Sequence, residues 1–346
     1  MRIVQVAPLE EPVPPTKYGG TELVVYNLIE EMVKRGHEVF LIGTGDSQTS
    51  AELIPIVPES LRKAYTKDEI DTWRSFLKIF YIPEIIKKID DLKPDIVHNH
   101  YAWRLIQFSD FICCPMYTTA HGPLKSFYER FTFQHHPEAN YISISDHQRQ
   151  ALPNINWVKT IYNGIDVSQF QVGPKERDYF AFLGRTSPEK GLREIIQLIR
   201  QTSFKLKIAA KVDTVDQPYF DQHVKPFIDG EQIEFIGEIG PAEKSNFLKN
   251  AKGLLLWLNW EEPFGLVVTE ALACGTPVIV NPRGSMPELI IDGQTGYLVN
   301  SLEEMQAKLS QVDQLDPLAC RRRVEEHFSA SKMAEEYLEL AGKLTG

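Results

Sequence analysis

The chain has 346 residues, 43% hydrophobic and 24% charged, a length and balance that suit two soluble globular domains. A net charge of −10 excludes a broad nucleic-acid surface, and no apolar run reaches membrane-spanning length. The four cysteines (Cys113, Cys114, Cys274, Cys320) lack metal-ligand spacing and are expected as reduced thiols in a cytoplasmic protein.

Residues 2–7 form a compact apolar strand, and the start of the chain reads as that strand rather than as a signal peptide. A loop with four prolines runs from 8 to 20 and ends in Tyr18-Gly19-Gly20. Thr21 is expected to cap a helix with apolar Leu23, Val24, Leu28 and Met32, which Gly36 stops before a strand at 37–42. A glycine turn between strand and helix makes an anion site in α/β proteins. Gly-Gly-Thr-Glu is not the dinucleotide fingerprint, however, and a tight turn explains Gly19 and Gly20 as well as ligand approach does.

Residues 68–91 read as an amphipathic helical region broken near Pro83, and strands follow at 95–98 and 115–120. In open parallel sheets, ligands bind beyond the carboxyl ends of strands, which makes His98, His100 and His121 candidates by position. Zinc is not expected, because His98 and His100 should alternate faces and no third ligand is apparent. His121 reads as a hydrogen-bonding group, the alternative being an imidazole satisfied within the fold. Strands at 141–145 and 158–162 lead to the turn Asn163-Gly-Ile-Asp166 and a polar stretch, the expected domain boundary.

The second half restarts the pattern with a continuous apolar strand at 178–183. Ser187-Pro188 is expected to open the next helix, with Lys190 in its first turn, where a cation opposes the helix dipole. An ill-placed charge beside Arg185 suggests one anion-binding loop. Strands are expected at 206–210, 233–236, 254–258, 278–280 and 297–299, and helices at 317–328 and 332–344. The stretch from Asn259 to Val280 reads as a polar loop, a helix at 266–274 and a buried strand. Gly265 permits close approach to a ligand, and the free N–H groups of the helix behind it form an anion site flanked by Glu262 and Glu270. An ordinary βαβ turn with two solvated glutamates is the plain alternative. Together the elements predict two doubly wound α/β domains.

At this point the motifs resemble a family. Glu262-x-Phe-Gly-x-x-x-x-Glu270-Ala-x-Ala-x-Gly-x-Pro-Val is similar to the Glu-x7-Glu signature of retaining glycosyltransferases of family 4, which have the GT-B fold. The likeness extends through Gly19-Gly20, His121-Gly122, Asn163-Gly-Ile-Asp166, Gly184-Arg-x-x-x-x-Lys190-Gly191 and Gly284-x-x-Pro-Glu288, in the family's order. It implies two Rossmann-like domains facing each other across a cleft, an acceptor-binding domain at 1–165 and a donor-binding domain at 166–328. A terminal helix at 329–346 would pack back on the first domain.

By resemblance, Arg185 and Lys190 would neutralise the diphosphate of a nucleotide sugar, aided by the amides around Gly265, Leu266 and Val267, with Gly184 and Phe264 also in the donor site. Glu270 would accept from ribose hydroxyls, Glu262 would hold sugar hydroxyls, His121 would lie near the anomeric centre, and Gly20 would approach the donor phosphate. Tyr18, His98 and His100 fall on the acceptor side. The implied reaction moves a hexose to a hydroxyl acceptor with retention, UDP-glucose being the first donor expected and GDP-mannose the second. No cofactor or metal beyond the nucleotide-sugar co-substrate is expected, and no Asp-x-Asp motif occurs. The acceptor would be a saccharide, lipid-linked sugar or small molecule, with no nucleic-acid partner. The basic-aromatic stretch Lys125 to Phe133 is expected to combine core packing with a solvated face, so membrane contact would be peripheral at most. Pro263 stands where the family often has glycine and stiffens the loop before Phe264. A nucleotide-sugar epimerase or hydrolase, and a non-catalytic sugar-nucleotide-binding protein, are the alternatives.

Overall fold

Two wholly parallel sheets form the frame of the computed structural model, which describes residues 1–17 and 19–346, with the backbone alone at Lys67, Asp71, Arg74 and Ser75. Tyr18, a candidate on the acceptor side, lies outside the described residues. The chain divides into one unit of Met1–Gly164 with Ala330–Gly346, and a second of Ile165–Ser329.

In the first unit the strands are β1 (Arg2–Val6), β2 (Glu38–Thr44), β3 (Glu52–Val57), β4 (Ile96–Asn99), β5 (Met116–Ala120), β6 (Asn140–Ser143) and β7 (Trp157–Thr160). Their order is β3-β2-β1-β4-β5-β6-β7, so the winding reverses between β1 and β4. Ile3, Val4, Val6, Ile96 and Val97 are fully buried because helices cover both faces of the central strands. The loops after β1 and β4 therefore leave the sheet at its switch point, where α/β folds place ligands. β3 has no counterpart in the pattern of the sequence. It lies at the sheet edge, carries Pro55 and buries only its last two residues, so it lacks the apolar run that marks the central strands.

The helix Gly20–Lys34 begins two residues earlier than the sequence suggested. Gly19 stands at its N-cap, no side chain caps it, and Thr21 lies inside the first turn. The region 68–91 is two helices, Lys67–Phe80 and Ile82–Leu92, with Pro83 in the first turn of the second, where its missing N–H removes no hydrogen bond. The terminal helix Ala330–Thr345 packs on Gly20–Lys34. Its Tyr337 hydroxyl hydrogen-bonds Thr119 Oγ1 (2.8 Å), and Met333 Sδ accepts from the Gly164 amide (3.0 Å). In the helix Phe127–His135, Phe133 is buried, but Phe127, Tyr128 and Phe131 are 70%, 62% and 50% exposed, more than core packing of that stretch would leave.

The second unit holds β8 (Tyr179–Arg185), β9 (Lys205–Lys211), β10 (Ile233–Gly237), β11 (Ala251–Leu256), β12 (Val278–Val280) and β13 (Gly296–Leu298). The order β10-β9-β8-β11-β12-β13 places the reversal between β8 and β11. Phe180, Phe182, Leu254, Leu255 and Ile279 form the floor of this core. Among the described residues, no helix is long and apolar enough to cross a membrane.

Candidate active site

Three loops of the second unit leave the carboxyl ends of neighbouring strands β8, β11 and β12, and hydrogen bonds tie them together. After β8, Pro188–Lys190 forms a single 3-10 turn, and Gly191 at φ +66° separates it from the helix Leu192–Ile199. Asn259 holds that turn: its amide donates to Glu189 O (2.9 Å) and its Nδ2 to Pro188 O (3.0 Å). Asn281, just past β12, clamps the neighbouring residue of the same loop, with Oδ1 accepting from Leu258 N (2.7 Å) and Nδ2 donating to Leu258 O (2.8 Å). Ser285 N donates to Glu262 O (2.9 Å) and Ser285 Oγ to Phe264 O (2.6 Å). A β-carbon at Gly284 (φ +61°) would meet Glu262 O at 2.1 Å, so only glycine lets these strands of loop touch.

The charged side chains follow from this scaffold. Lys190 Nζ is paired with the Glu262 carboxylate, both side chains largely buried, and lies 4.7 Å from the centre of the Trp260 ring. Arg185, the last residue of β8, donates through Nη2 to Glu189 Oε1 (2.6 Å). Glu270 is 2% exposed and its Oε1 accepts from Lys244 Nζ (2.8 Å). Each glutamate keeps an oxygen, Glu262 Oε1 and Glu270 Oε2, without a partner among the described residues.

The helix Leu266–Ala273 starts from Gly265 at φ +91°. Its first amides, like those of any helix, have no partner within the helix and carry its positive end. Phe264 is buried beneath this turn against Phe328, with ring centres 6.0 Å apart. Gly184 would meet nothing closer than 3.9 Å with a β-carbon, so packing does not require glycine there. Arg185 Nε, Ser187 Oγ and Trp260 Nε1 are buried hydrogen-bonding atoms with no partner among the described residues. Leaving a buried polar group unsatisfied costs roughly 1–3 kcal/mol, so these three atoms on two adjoining loops are hydrogen-bonding capacity that the described residues leave unused.

In the first unit, His98, His100 and His121 gather at the ends of β4 and β5. His98 Nε2 hydrogen-bonds Thr119 Oγ1 (2.8 Å), His100 Nε2 reaches Gln5 Oε1 (2.8 Å), and His100 Nδ1 reaches His121 Nε2 (2.8 Å). Burial pushes all three away from the charged form, His98 and His100 well below the usual value and His121 down to about 4. Among the described residues, no three His, Cys, Asp or Glu side chains are grouped as a metal site.

Several sequence expectations are corrected here. Lys190 is not in the first turn of a helix but in a separate turn before it, because Gly191 takes the left-handed conformation where a continuing helix needs the right-handed one. The conflict with a helix dipole therefore disappears, and what places Lys190 is the grip of Asn259. Ser187 makes no cap hydrogen bond. His98 and His100 do not project apart. Successive side chains of a strand alternate, so residues two apart share a face, and the two rings lie with centres 3.7 Å apart and planes tilted by 42°. At Gly19 a β-carbon would lie 2.6 Å from Pro15 Cβ, so packing by itself calls for glycine there. Asn259, Asn281 and Ser285, which assemble the site, carried no signal in the sequence beyond their place at strand ends.

Comparison with known proteins completes the description. A model of glycosyl transferases group 1 matches residues 165–321, and one of glycosyltransferase family 4 matches residues 18–169. An α-maltose-1-phosphate synthase of Mycolicibacterium smegmatis is 27% identical over 221 residues, 54% of this chain, which spans 57% of that enzyme. A sucrose-phosphate synthase of Thermosynechococcus elongatus superposes with a TM-score of 0.79 at 16% identity, covering 99% of both chains. The Anabaena protein HepE in complex with UDP and glucose superposes at 0.77 and 15% identity, covering 99% of this chain and all of the other.

Proposed function

From a chain that belongs to glycosyltransferase family 4 and has the GT-B fold, we propose an enzyme that moves a hexose from a nucleoside-diphosphate sugar to a hydroxyl acceptor, with retention at the anomeric carbon. The carrying observation is the cluster of unsatisfied Arg185 Nε, Ser187 Oγ and Trp260 Nε1 beside Lys190 and the helix end at Gly265. Cations and amides of this kind match a diphosphate, and carboxylates with a spare oxygen match hydroxyls.

In the proposed step, the bond between the anomeric carbon and the diphosphate breaks and negative charge grows on the leaving oxygens. Arg185, Lys190 and the amides of Gly265, Leu266 and Val267 stabilise that charge. Lys190 and Arg185 already hold carboxylates, so they are positioned before the donor arrives and phosphate oxygens replace or share those partners. The acceptor proton passes to the leaving phosphate, a route that uses no protein base and no bound metal; Glu262 as a covalent nucleophile is the alternative. Glu262 Oε1 is assigned to a sugar hydroxyl and Glu270 Oε2 to the ribose. In the first unit, His121 is assigned to a sugar hydroxyl and Gly20 to the donor phosphate. UDP-glucose is the first donor proposed, since HepE is held with UDP and glucose, and GDP-mannose the second.

A thermal-shift panel of UDP, GDP, ADP, TDP and their sugar conjugates tests this reading. A ligand at ~100 times its Kd adds about 2.7 kcal/mol, roughly 5–11 °C for a unit of this size. Stabilisation by one base is expected, and no response to any of them would overturn the donor site. Proton NMR of the product should show the donor's anomeric configuration; inversion would overturn retention. Release of free sugar without an acceptor product would favour a hydrolase.

A smaller effect is expected at Glu270. Glu270→Ala should weaken binding of the free nucleoside diphosphate about tenfold, the scale of one hydrogen bond to a charged group. Because the change also strips Lys244 of its partner, Lys244→Met is the control and should leave affinity within about threefold, since the carboxylate remains. Wild-type affinity of Glu270→Ala by calorimetry would remove Glu270 from the site.

A further inference from the structure

The hydrogen bonds around His121 form a one-way chain whose direction is fixed at its buried end. Gln5 is the next-to-last residue of β1 and is fully buried. Its Nε2 is 3.3 Å from Met32 Sδ, and a thioether accepts but cannot donate, so the amide N–H points to Met32 and Oε1 points the other way. Gln5 Oε1 is 2.8 Å from His100 Nε2 and can only accept, so His100 carries its proton on Nε2. A neutral imidazole has one proton, which leaves His100 Nδ1 a bare acceptor. It is 2.8 Å from His121 Nε2, which must therefore be the protonated nitrogen of His121. By the same count His121 Nδ1 is a lone pair. His121 is half-buried, and its Nδ1 makes no hydrogen bond within the described residues and is not among their buried unpartnered atoms.

We propose that Gln5 and His100 are positioning residues that hold His121 as the neutral Nε2–H tautomer, so that Nδ1 is presented as a hydrogen-bond acceptor for a substrate hydroxyl. The tautomer stands on geometry alone; the substrate hydroxyl rests on the glycosyl-transfer reading. His121 on this view neither donates a proton nor carries charge toward the substrate. Met32 acts at the far end of the chain by excluding the flipped amide, which would set oxygen against sulfur. The flipped arrangement would reverse every bond and turn His121 Nδ1 into a donor.

The test reads the protons directly. In a long-range 1H–15N correlation spectrum of the full-length protein at neutral pH, with His121 and His100 assigned by single substitution, both rings are expected to be protonated at Nε2 only. A proton on His121 Nδ1, alone or together with Nε2, would overturn the proposal without any variant being made. Gln5→Leu removes the fixed acceptor and keeps the bulk. His100 should then move its proton to Nδ1 and force His121 to Nδ1–H, with turnover about tenfold lower at nearly unchanged KM for the donor. An unmoved His121 tautomer in that variant would sink the relay, and a flipped tautomer with wild-type turnover would sink the role toward substrate. Nε2–H in a wild-type protein that turns over no nucleotide sugar would support the relay and count against the transfer reading instead.

Discussion

Replacing Lys190 by alanine should lower the rate of sugar transfer at saturating donor by at least ~100-fold, the usual scale for losing one preorganised electrostatic group. That is about 2.7 kcal/mol of transition-state stabilisation. The expectation comes from where the lysine sits. Its ammonium is held between the Glu262 carboxylate and the face of Trp260, largely out of water, in a turn that Asn259 pins at two carbonyls. A cation held this way does not have to be ordered or desolvated as charge grows on the leaving diphosphate. A purely structural role is separable. If Lys190 served only to neutralise Glu262, then adding Lys190→Met to Glu262→Gln would cost no further transfer, since the carboxylate charge is already gone. The donor-site reading expects the double variant to be at least ~100-fold slower than Glu262→Gln alone while its thermal stability matches or exceeds that of Lys190→Ala. Initial rates beside a melting curve decide it, and wild-type turnover in folded Lys190→Ala would remove the lysine from the mechanism.

How far the sequence carried this picture depends on the range of the interaction. The helix Leu266–Ala273 and β12 were legible to within a residue, because Gly265, Gly275 and Pro277 punctuate them locally and the apolar run between marks burial. The central strands were legible as runs buried on both faces, whereas β3, at the edge and interrupted by Pro55, has no such run. Lys190 was read as a candidate site residue for a reason that does not hold. A proline after a serine looks like a helix start, and only the left-handed Gly191 shows that the helix begins later. Asn281 and Asn259 were invisible because their partners, Leu258, Pro188 and Glu189, are set by which strands are neighbours, and sequence spacing does not encode that. The histidine chain was missed for the same reason. Gln5 and His100 are 95 positions apart and meet because β1 pairs with β4.

Gly191→Ala should be the most damaging single-methyl change at this site, and Gly230→Ala shows why. Both glycines have positive φ, +66° and +77°, so both substitutions bear the roughly 1–2 kcal/mol cost of a left-handed β-carbon. Gly230 has nothing within 4 Å of the added carbon, so that cost is all it should show. At Gly191 the carbon would lie 1.7 Å from Trp257 O and 2.7 Å from Trp257 C, and a backbone carbonyl cannot swing aside as a side-chain tip can. The turn Pro188–Lys190 or the loop after β11 has to move, and Asn259 couples them, so relief of the clash breaks the hydrogen bonds that place Lys190. An added destabilisation of ~3 kcal/mol is reasonable for backbone-level overpacking. It corresponds to a melting temperature roughly 6–12 °C below that of Gly230→Ala for a unit of this size. Because the distortion centres on the cations, binding of a nucleoside diphosphate should fall with it, even at temperatures where the variant is folded. Equal melting points for the two variants would show that the loop relaxes freely, and wild-type nucleotide affinity in Gly191→Ala would show that the turn does not hold the donor.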